Sequence, residues 1–479
     1  MRAFHRALNL RPGELGLTVL LALLYYLVLC THYFLKPARD ALFLTRNGPA
    51  ELPVVFILSA LVSLPITSFY SRLFRLLPLN RMILGTFAFL AANLVGLRFL
   101  IGASGGWIYY TFYIWVGIFG AITTSQFWLL SNALFDATQA KRVFAILGTG
   151  GILGAVTGGE LTSALVGRVG LATEDLLWLS IAVLTGCTGL VAWIWHATAV
   201  LRRAEAVRSR PQRIPERGAA KGTLEVLRTV RRSTHLTLTL GIFAVTVVVG
   251  TFIDFQFKTV SYEAFSDAGS LTSFLGTFYS RVALVSLAVQ LLVAGRLLGS
   301  FGAVAGLLVL PLALAAGTAA MILHPVLVAA VALRGGEMTF KYSLDKTARE
   351  LLFLPVPMAV KRDVKIWFDL FVDRWFRGLA GVLLLILTLV LGLSIRGVAV
   401  ATAGLVAAWV ILVVRLRPAY AEAFRQAIIR REDDVVGALP RMADKEVVTS
   451  LIASLRSSNP GQVLYALRLF DDTPDIEIN

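Results

Sequence analysis

The stretch LRRAEAVRSRPQRIPERGAAKGTLEVLRTVRRSTH, residues 201–235, holds ten Arg and Lys against three Glu and is the longest break between apolar runs in the chain. On both sides of it the sequence reads as membrane. A helix that crosses the hydrocarbon needs ~20 mostly apolar residues. Six such runs precede the break, beginning near Gly16, Leu52, Met82, Trp107, Val143 and Leu176, and six follow it, near Leu236, Leu271, Phe301, Val326, Gly378 and Val398. The expected fold class is therefore an all-α membrane protein, with twelve transmembrane helices in two six-helix bundles and a short soluble helical tail. Its expected parts are residues 1–200 and 236–417 as the bundles, 201–235 as a basic cytoplasmic linker and 418–479 as the tail.

Composition supports this reading. Of 479 residues 57% are hydrophobic and 15% charged, with a mean hydropathy of +0.76. Soluble chains are nearer half apolar and a quarter charged, and a soluble core of this size cannot hide the surplus. A soluble enzyme, a disordered chain and a disulfide-rich secreted domain are excluded. Cys30 and Cys187 both lie inside apolar runs and read as small core hydrophobes. The sequence has no CxxC, HExxH, GxSxG or GxxxxGK[ST], so no metal site, cofactor or covalent chemistry is expected.

The net charge of +16 would point to nucleic acid in a soluble chain. Here it falls in the connections. Arg72, Arg75 and Arg81 follow the second run, Lys141 and Arg142 the fourth, and Lys361 and Arg362 the tenth. Basic even-numbered connections place both termini in the cytoplasm, as expected for a multi-pass protein of a bacterial inner membrane, with lipid and not nucleic acid as its surroundings. Arg2, Arg6 and Arg11 precede the first run, and Lys36-Pro37-Ala38-Arg39-Asp40 follows it in place of a cleavage site, so it reads as an uncleaved first helix. Six plus six with a long cytoplasmic link is the layout of the major facilitator architecture, two bundles around a central cavity. In the tail, residues 444–457 and 461–471 form two amphipathic stretches joined by Ser458-Asn459-Pro460, resembling one HEAT-type repeat and offering a surface for a protein partner.

Ionisable residues inside spanning helices cost ~2.5–3.5 kcal/mol each on insertion scales, so each is a candidate site. Lys36 and Arg39 lie towards the outer end of the first helix, Asp254 and Lys258 towards that of the seventh, the equivalent place in the second half. Snorkelling to headgroups is the alternative, which suits Lys258 better than Asp254. In the tenth run Arg334, Glu337, Lys341, Asp345 and Arg349 recur at spacings of three and four, placing all five on one helical face. Such a face cannot look at lipid. Its counterpart, the fourth run, carries Gln126, Asn132 and Asp136. Glu160, beside the close-packing glycines Gly150, Gly154 and Gly158, and Arg281 read as structural charges that pair across the bundle. A cation-rich site at membrane depth suits a polyanion such as phosphate, held by charge-assisted hydrogen bonds.

These residues also carry a resemblance. Leu35-Lys36-Pro37-Ala38-Arg39-Asp40-Ala41-Leu42 resembles the LRDTKDVL of the ATP/ADP translocase family of intracellular bacteria and plastids, with Arg39 in place of a lysine. Phe127-Trp128 with Asn132 and then Ala140-Lys141-Arg142 resembles its FWxxxN and AKR, and Phe252 to Lys258 its LVEVTWK, with Asp254 at an essential glutamate. Phe274-Leu275-Gly276, Phe278 and Ser280 resemble FMGDFS. Lys341-Tyr342-Ser343-Leu344 with Arg349-Glu350 and Pro355 resembles KYSL, KE and P, Arg349 replacing lysine, and Lys365 and Asp369 continue the register. The family's acidic residue early in the fourth helix has no counterpart around Tyr113 to Gly117.

The resemblance implies a nucleotide transporter of the major facilitator fold, exchanging ATP and ADP. On this reading Lys36, Arg39, Lys258, Lys341 and Arg349 hold phosphates. Asp254, Glu337 and Asp345 form gating ion pairs, and Asn132 and Lys365 contact the base or cavity. A carrier of the same fold for another nucleotide, organic phosphate or lipid is the alternative, as is a membrane scaffold or sensor working through the tail.

Overall fold

In lipid no water satisfies backbone N–H and C=O groups, so a chain of apolar runs must form helices. The computed structural model describes residues 14–430 except 104, 136, 207–222 and 266, and every element among them is helical. Arg2, Arg6 and Arg11, Asp136, most of the basic linker and the amphipathic pair at 444–471 lie outside the described residues.

The first half comprises α1 (Glu14–Asn47), α2 (Leu52–Leu76), α3 (Leu79–Leu100), α4 (Trp107–Leu134), α5 (Ala137–Gly167) and α6 (Leu176–Ala206). After α7 (Thr223–Arg231) come α8 (Thr234–Ala264), α9 (Ala268–Val289), α10 (Gly295–Leu323), α11 (Leu327–Phe340), α12 (Lys346–Leu352), α13 (Met358–Trp367), α14 (Asp373–Leu385) and α15 (Ile395–Arg430). Asp267 starts α9 by accepting the Ser270 N–H at 2.9 Å, and the Ser270 hydroxyl, donating at 2.7 Å, together with that N–H holds its carboxyl below the usual carboxylate range. Gly302, at φ 80°, breaks α10 near its start, a left-handed conformation natural to glycine.

Among the described residues nine helical stretches are long and apolar enough to cross a membrane. The other three runs are helical but differ from the expected plain spans. Only Pro49–Ser63 is strongly apolar around α2. The tenth run is not one continuous helix, because a π-helical turn, Lys341–Asp345, joins α11 to α12. Of three more π turns among the described residues, Phe368–Val372 precedes the eleventh run, Ile386–Val390 falls within it, and Gln290–Ala294 joins α9 to α10. Single π turns cluster at functional positions, and Lys341–Asp345 falls within the charged stripe.

Contacts divide the chain into two compact units, Met1–Glu216 with Ser261–Leu284 and Arg217–Val260 with Val285–Asn479. The end of α8 and most of α9 thus pack within the first unit, beyond the division expected at the linker. The reason is local. A Cβ on Gly159 would lie 2.6 Å from the Gly276 carbonyl, and one on Gly276 would lie 2.7 Å from the Gly159 carbonyl, so the bare backbones of α5 and α9 touch. Hydroxyls bind the crossing, Ser163 and Ser273 at 2.9 Å and Thr277 donating to Ser163 at 2.8 Å. The last helix also crosses the boundary expected at residue 418. It runs through Pro418 to Arg430, because Tyr420, Phe424 and Ala427 continue a buried stripe on it.

The glycines read from the sequence form the α1–α5 contact. A Cβ on Gly150 or Gly158 would meet the carbonyl oxygen of Ala22 or Cys30 at 2.7 or 2.8 Å, and one on Gly154 would overlap that of Tyr26. Backbone cannot step aside as a side chain can. Overpacking costs about 1–3 kcal/mol or more, so Gly154→Ala is expected to lower the thermal midpoint of the purified protein markedly. Gly148→Ala, with nothing within 4 Å, leaves the midpoint unchanged.

Candidate functional site

In the first unit the site residues come from α1. Lys36 and Arg39 do not sit at a helix end, since ~12 Å of helix continues beyond Arg39 to Asn47. They are walled by aromatic rings. The Lys36 ammonium lies 3.7 Å from the Tyr279 ring centre and 5.6 Å from that of Tyr33, and the Arg39 guanidinium 4.1 Å from that of Tyr113. Arg39 also donates to the fully buried Asp40 through Nε at 2.9 Å and Nη2 at 2.7 Å, and the Tyr279 hydroxyl donates to the other Asp40 oxygen at 3.0 Å. Ring faces hold cations without neutralising them, and the formal charges of Lys36, Arg39 and Asp40 sum to +1. The sequence does not single out Tyr279, although it stands between Phe278 and Ser280 of the resemblance.

Asn132 lies on α4, exposed, its amide donating to the Trp128 carbonyl at 2.8 Å. Phe127 of the same motif is buried and stacks on Tyr25 at 4.1 Å, with Trp128 edge-on to both.

In the second unit α8 and α11 supply a chain of ion pairs. Lys258 donates to Asp254 at 2.8 Å, and Arg334 reaches the other Asp254 oxygen at 2.6 Å and Glu337 at 2.8 Å. Lys341 joins the far oxygen of Glu337 at 3.1 Å. Gly250 leaves room for the ends of these side chains. Its carbonyl accepts from Arg334 at 3.4 Å, and a Cβ there would lie 3.0 Å from Glu337 Oε1. Beyond the π turn, Arg349 pairs with Asp345 at 2.7 Å, donates to Thr246 at 2.7 Å and lies 4.4 Å from the Phe243 ring centre. The five charges of the stripe therefore form two groups rather than one even face, because the π turn rotates Asp345 and Arg349 away from the α11 register.

Snorkelling by Lys258 is ruled out, for it is 1% exposed. Glu337 and Asp345 are equally buried, at 2% and 1%. Arg334, which the sequence places in the stripe but not among the phosphate or gating residues, is the bridging member. Sequence reading misses Asp373 and Arg377 altogether. They pair on α14 at 3.2 Å, and their charges act on Lys341. Lys365 is not with these residues, since it makes an exposed pair with Glu350 at 2.5 Å. Glu160 and Arg281 are both exposed and make no ion pair among the described residues, so the expected cross-bundle pairing is not found there. Among the described residues no group of His, Cys, Asp and Glu is placed to hold a metal ion.

Lys258, Arg334, Lys341 and Arg349 thus face Asp254, Glu337 and Asp345, four cations against three carboxylates. Two arginine forks among them match the bidentate geometry of phosphate. The helical architecture is that of known membrane carriers. A point-mutant form of the nucleoside transporter NupG superimposes with a TM-score of 0.62 at 12% identity, over 84% of this chain and 99% of that one. A POT family transporter in complex with a thioalcohol-conjugated peptide gives 0.56 at 11% identity, over 84% and 96%. The fold is that of a multi-pass membrane transporter of the major facilitator type. Within that class the chain belongs to the TLC ATP/ADP transporter family, whose sequence profile matches residues 54–420. No curated protein is matched by the sequence.

Proposed function

We propose that this protein is an alternating-access nucleotide carrier with twelve spans and cytoplasmic termini in a bacterial inner membrane, exchanging ATP for ADP. The observation that carries the reading is the buried ion-pair chain centred on Arg334, in which each bond joins a cation to a carboxylate that a phosphate oxygen could replace.

Breaking a buried pair without replacing a partner costs several kcal/mol. The empty carrier is therefore held by its own pairs. Phosphate oxygens take the place of these carboxylates at Arg334, Lys341 and Arg349, and serve Lys36 and Arg39 in the same way, so only the loaded carrier reorients cheaply. Asp254, Glu337 and Asp345 are the gating partners that take the cations back. Exchange, rather than one-way release, follows from the same penalty. ATP⁴⁻ against ADP³⁻ moves one net charge, worth ~2.3 kcal/mol per 100 mV.

Proteoliposomes loaded with ADP are expected to take up labelled ATP, and empty ones to take up little. Equal uptake into both would show that no exchange partner is needed. A phosphate-free solute carried in its place would remove the reading.

A further inference from the structure

Arg377 and Asp373 differ from every other ion pair around Lys341. Their side chains are 47% and 45% exposed, against 13% for Arg334 and 1% for Lys258. Both Arg377 contacts to Asp373 are 3.2 Å long, where the Arg334 bonds to the acids are 2.6 and 2.8 Å. An exposed i,i+4 pair on a helix is worth only a few tenths of a kcal/mol. Arg377 is therefore the cation here that detaches from its carboxylate at least cost.

Its place is not that of an ordinary surface charge. Lys341 feels both Asp373 and Arg377, and Arg377 in turn feels Asp254 and Tyr342. Tyr342, next to Lys341 on the π turn, is itself 57% exposed. Asp373, Arg377 and Tyr342 thus form the accessible end of a cluster whose other members are more buried. Ala380, Gly381 and Leu384, three, four and seven residues on from Arg377, share its face of α14 and are buried, so the pair belongs to the inward stripe of that helix and not to the side of the exposed Trp375, Leu379 and Val382. A guanidinium at that accessible end, close enough for its charge to act on Lys341, meets a polyanion before the buried bases can.

We propose that Arg377 is a phosphate-contact residue of this carrier, and that Asp373 is the partner it rests on and leaves when a nucleotide polyphosphate arrives. The proposal rests on the nucleotide-carrier reading and adds to it a specificity for phosphate number, because a guanidinium poised outside the buried pairs reaches a long phosphate chain and not a single phosphate.

The test uses the purified full-length protein and the dissociation constants of ATP and AMP, with thermal midpoints measured without ligand. Arg377→Gln is expected to weaken ATP binding about tenfold or more, a loss of ~1.4 kcal/mol, and AMP binding by less than about threefold. Arg377→Lys falls between. Asp373→Asn tightens ATP binding, since it frees the guanidinium. Midpoints without ligand stay as in the unsubstituted protein. Unchanged ATP binding in Arg377→Gln overturns the proposal, as does an equal loss for ATP and AMP accompanied by a lowered midpoint. Failure of the unsubstituted protein to bind any nucleotide is a separate result and overturns the carrier reading itself.

Discussion

Arg334→Met is expected to lower the stability of the folded protein by about 3–5 kcal/mol, the cost of stripping the shared partner from buried carboxylates. Arg334 lies between Asp254 and Glu337, and the latter is 2% exposed. Without the guanidinium the two acids keep Lys258 and Lys341 but repel one another through a poorly hydrated space. The readout is the denaturation midpoint in detergent. Adding Asp254→Asn and Glu337→Gln to Arg334→Met removes the stranded charges and is expected to restore most of the stability. Exchange activity does not return with it, because the phosphate's partner is still missing. If Arg334→Met alone were as stable as the parent, the chain of pairs would not be a buried network.

The second large effect is in the first unit. Arg39→Gln is expected to reduce ATP exchange by about two orders of magnitude or more, the scale of losing two charge-assisted bonds at ~1.5–3 kcal/mol each. Asp40 is fully buried and bonded to Arg39, so this change also costs stability, which the sequence alone does not anticipate. Adding Asp40→Asn to Arg39→Gln separates the two roles. The double variant regains its midpoint while exchange stays lost. Arg39→Lys keeps the charge but not the two-atom fork, and is expected to exchange slowly. Normal exchange by folded Arg39→Gln would exclude Arg39 from the phosphate site.

The sequence reveals the helices best where one physical constraint acts alone. Apolar length marks the starts of α2, α4 and α6 at Leu52, Trp107 and Leu176, because a span in lipid has no other way to satisfy its backbone. Spacing also identifies the α5 glycines as a packing surface, though not the backbone they touch. It fails where two constraints compete. The tenth run reads as one helix with a five-charge face, and the π turn at Lys341–Asp345 splits that face by altering the residues per turn. Asp373 and Arg377 escape notice because they precede the apolar window that begins near Gly378, and a hydropathy reading treats such charges as the end of a helix. Their i,i+4 spacing is the available signal. Pair partners are the least legible feature. The sequence marks Asp254 as one member of a gating pair but does not reveal the partners seen here, Lys258 on its own helix and Arg334 on α11. The bare backbone at Gly250 leaves the space in which the ends of Glu337 and Lys341 lie, a detail that spacing alone does not reveal.

The central claim is that carboxylate-paired cations yield to phosphate oxygens, and equilibrium binding of adenosine, AMP, ADP and ATP to the purified protein tests it most directly. Affinity is predicted to rise with each added phosphate and to fall across the whole series as salt is raised. Adenosine binding as tightly as ATP, insensitive to salt, would contradict the claim.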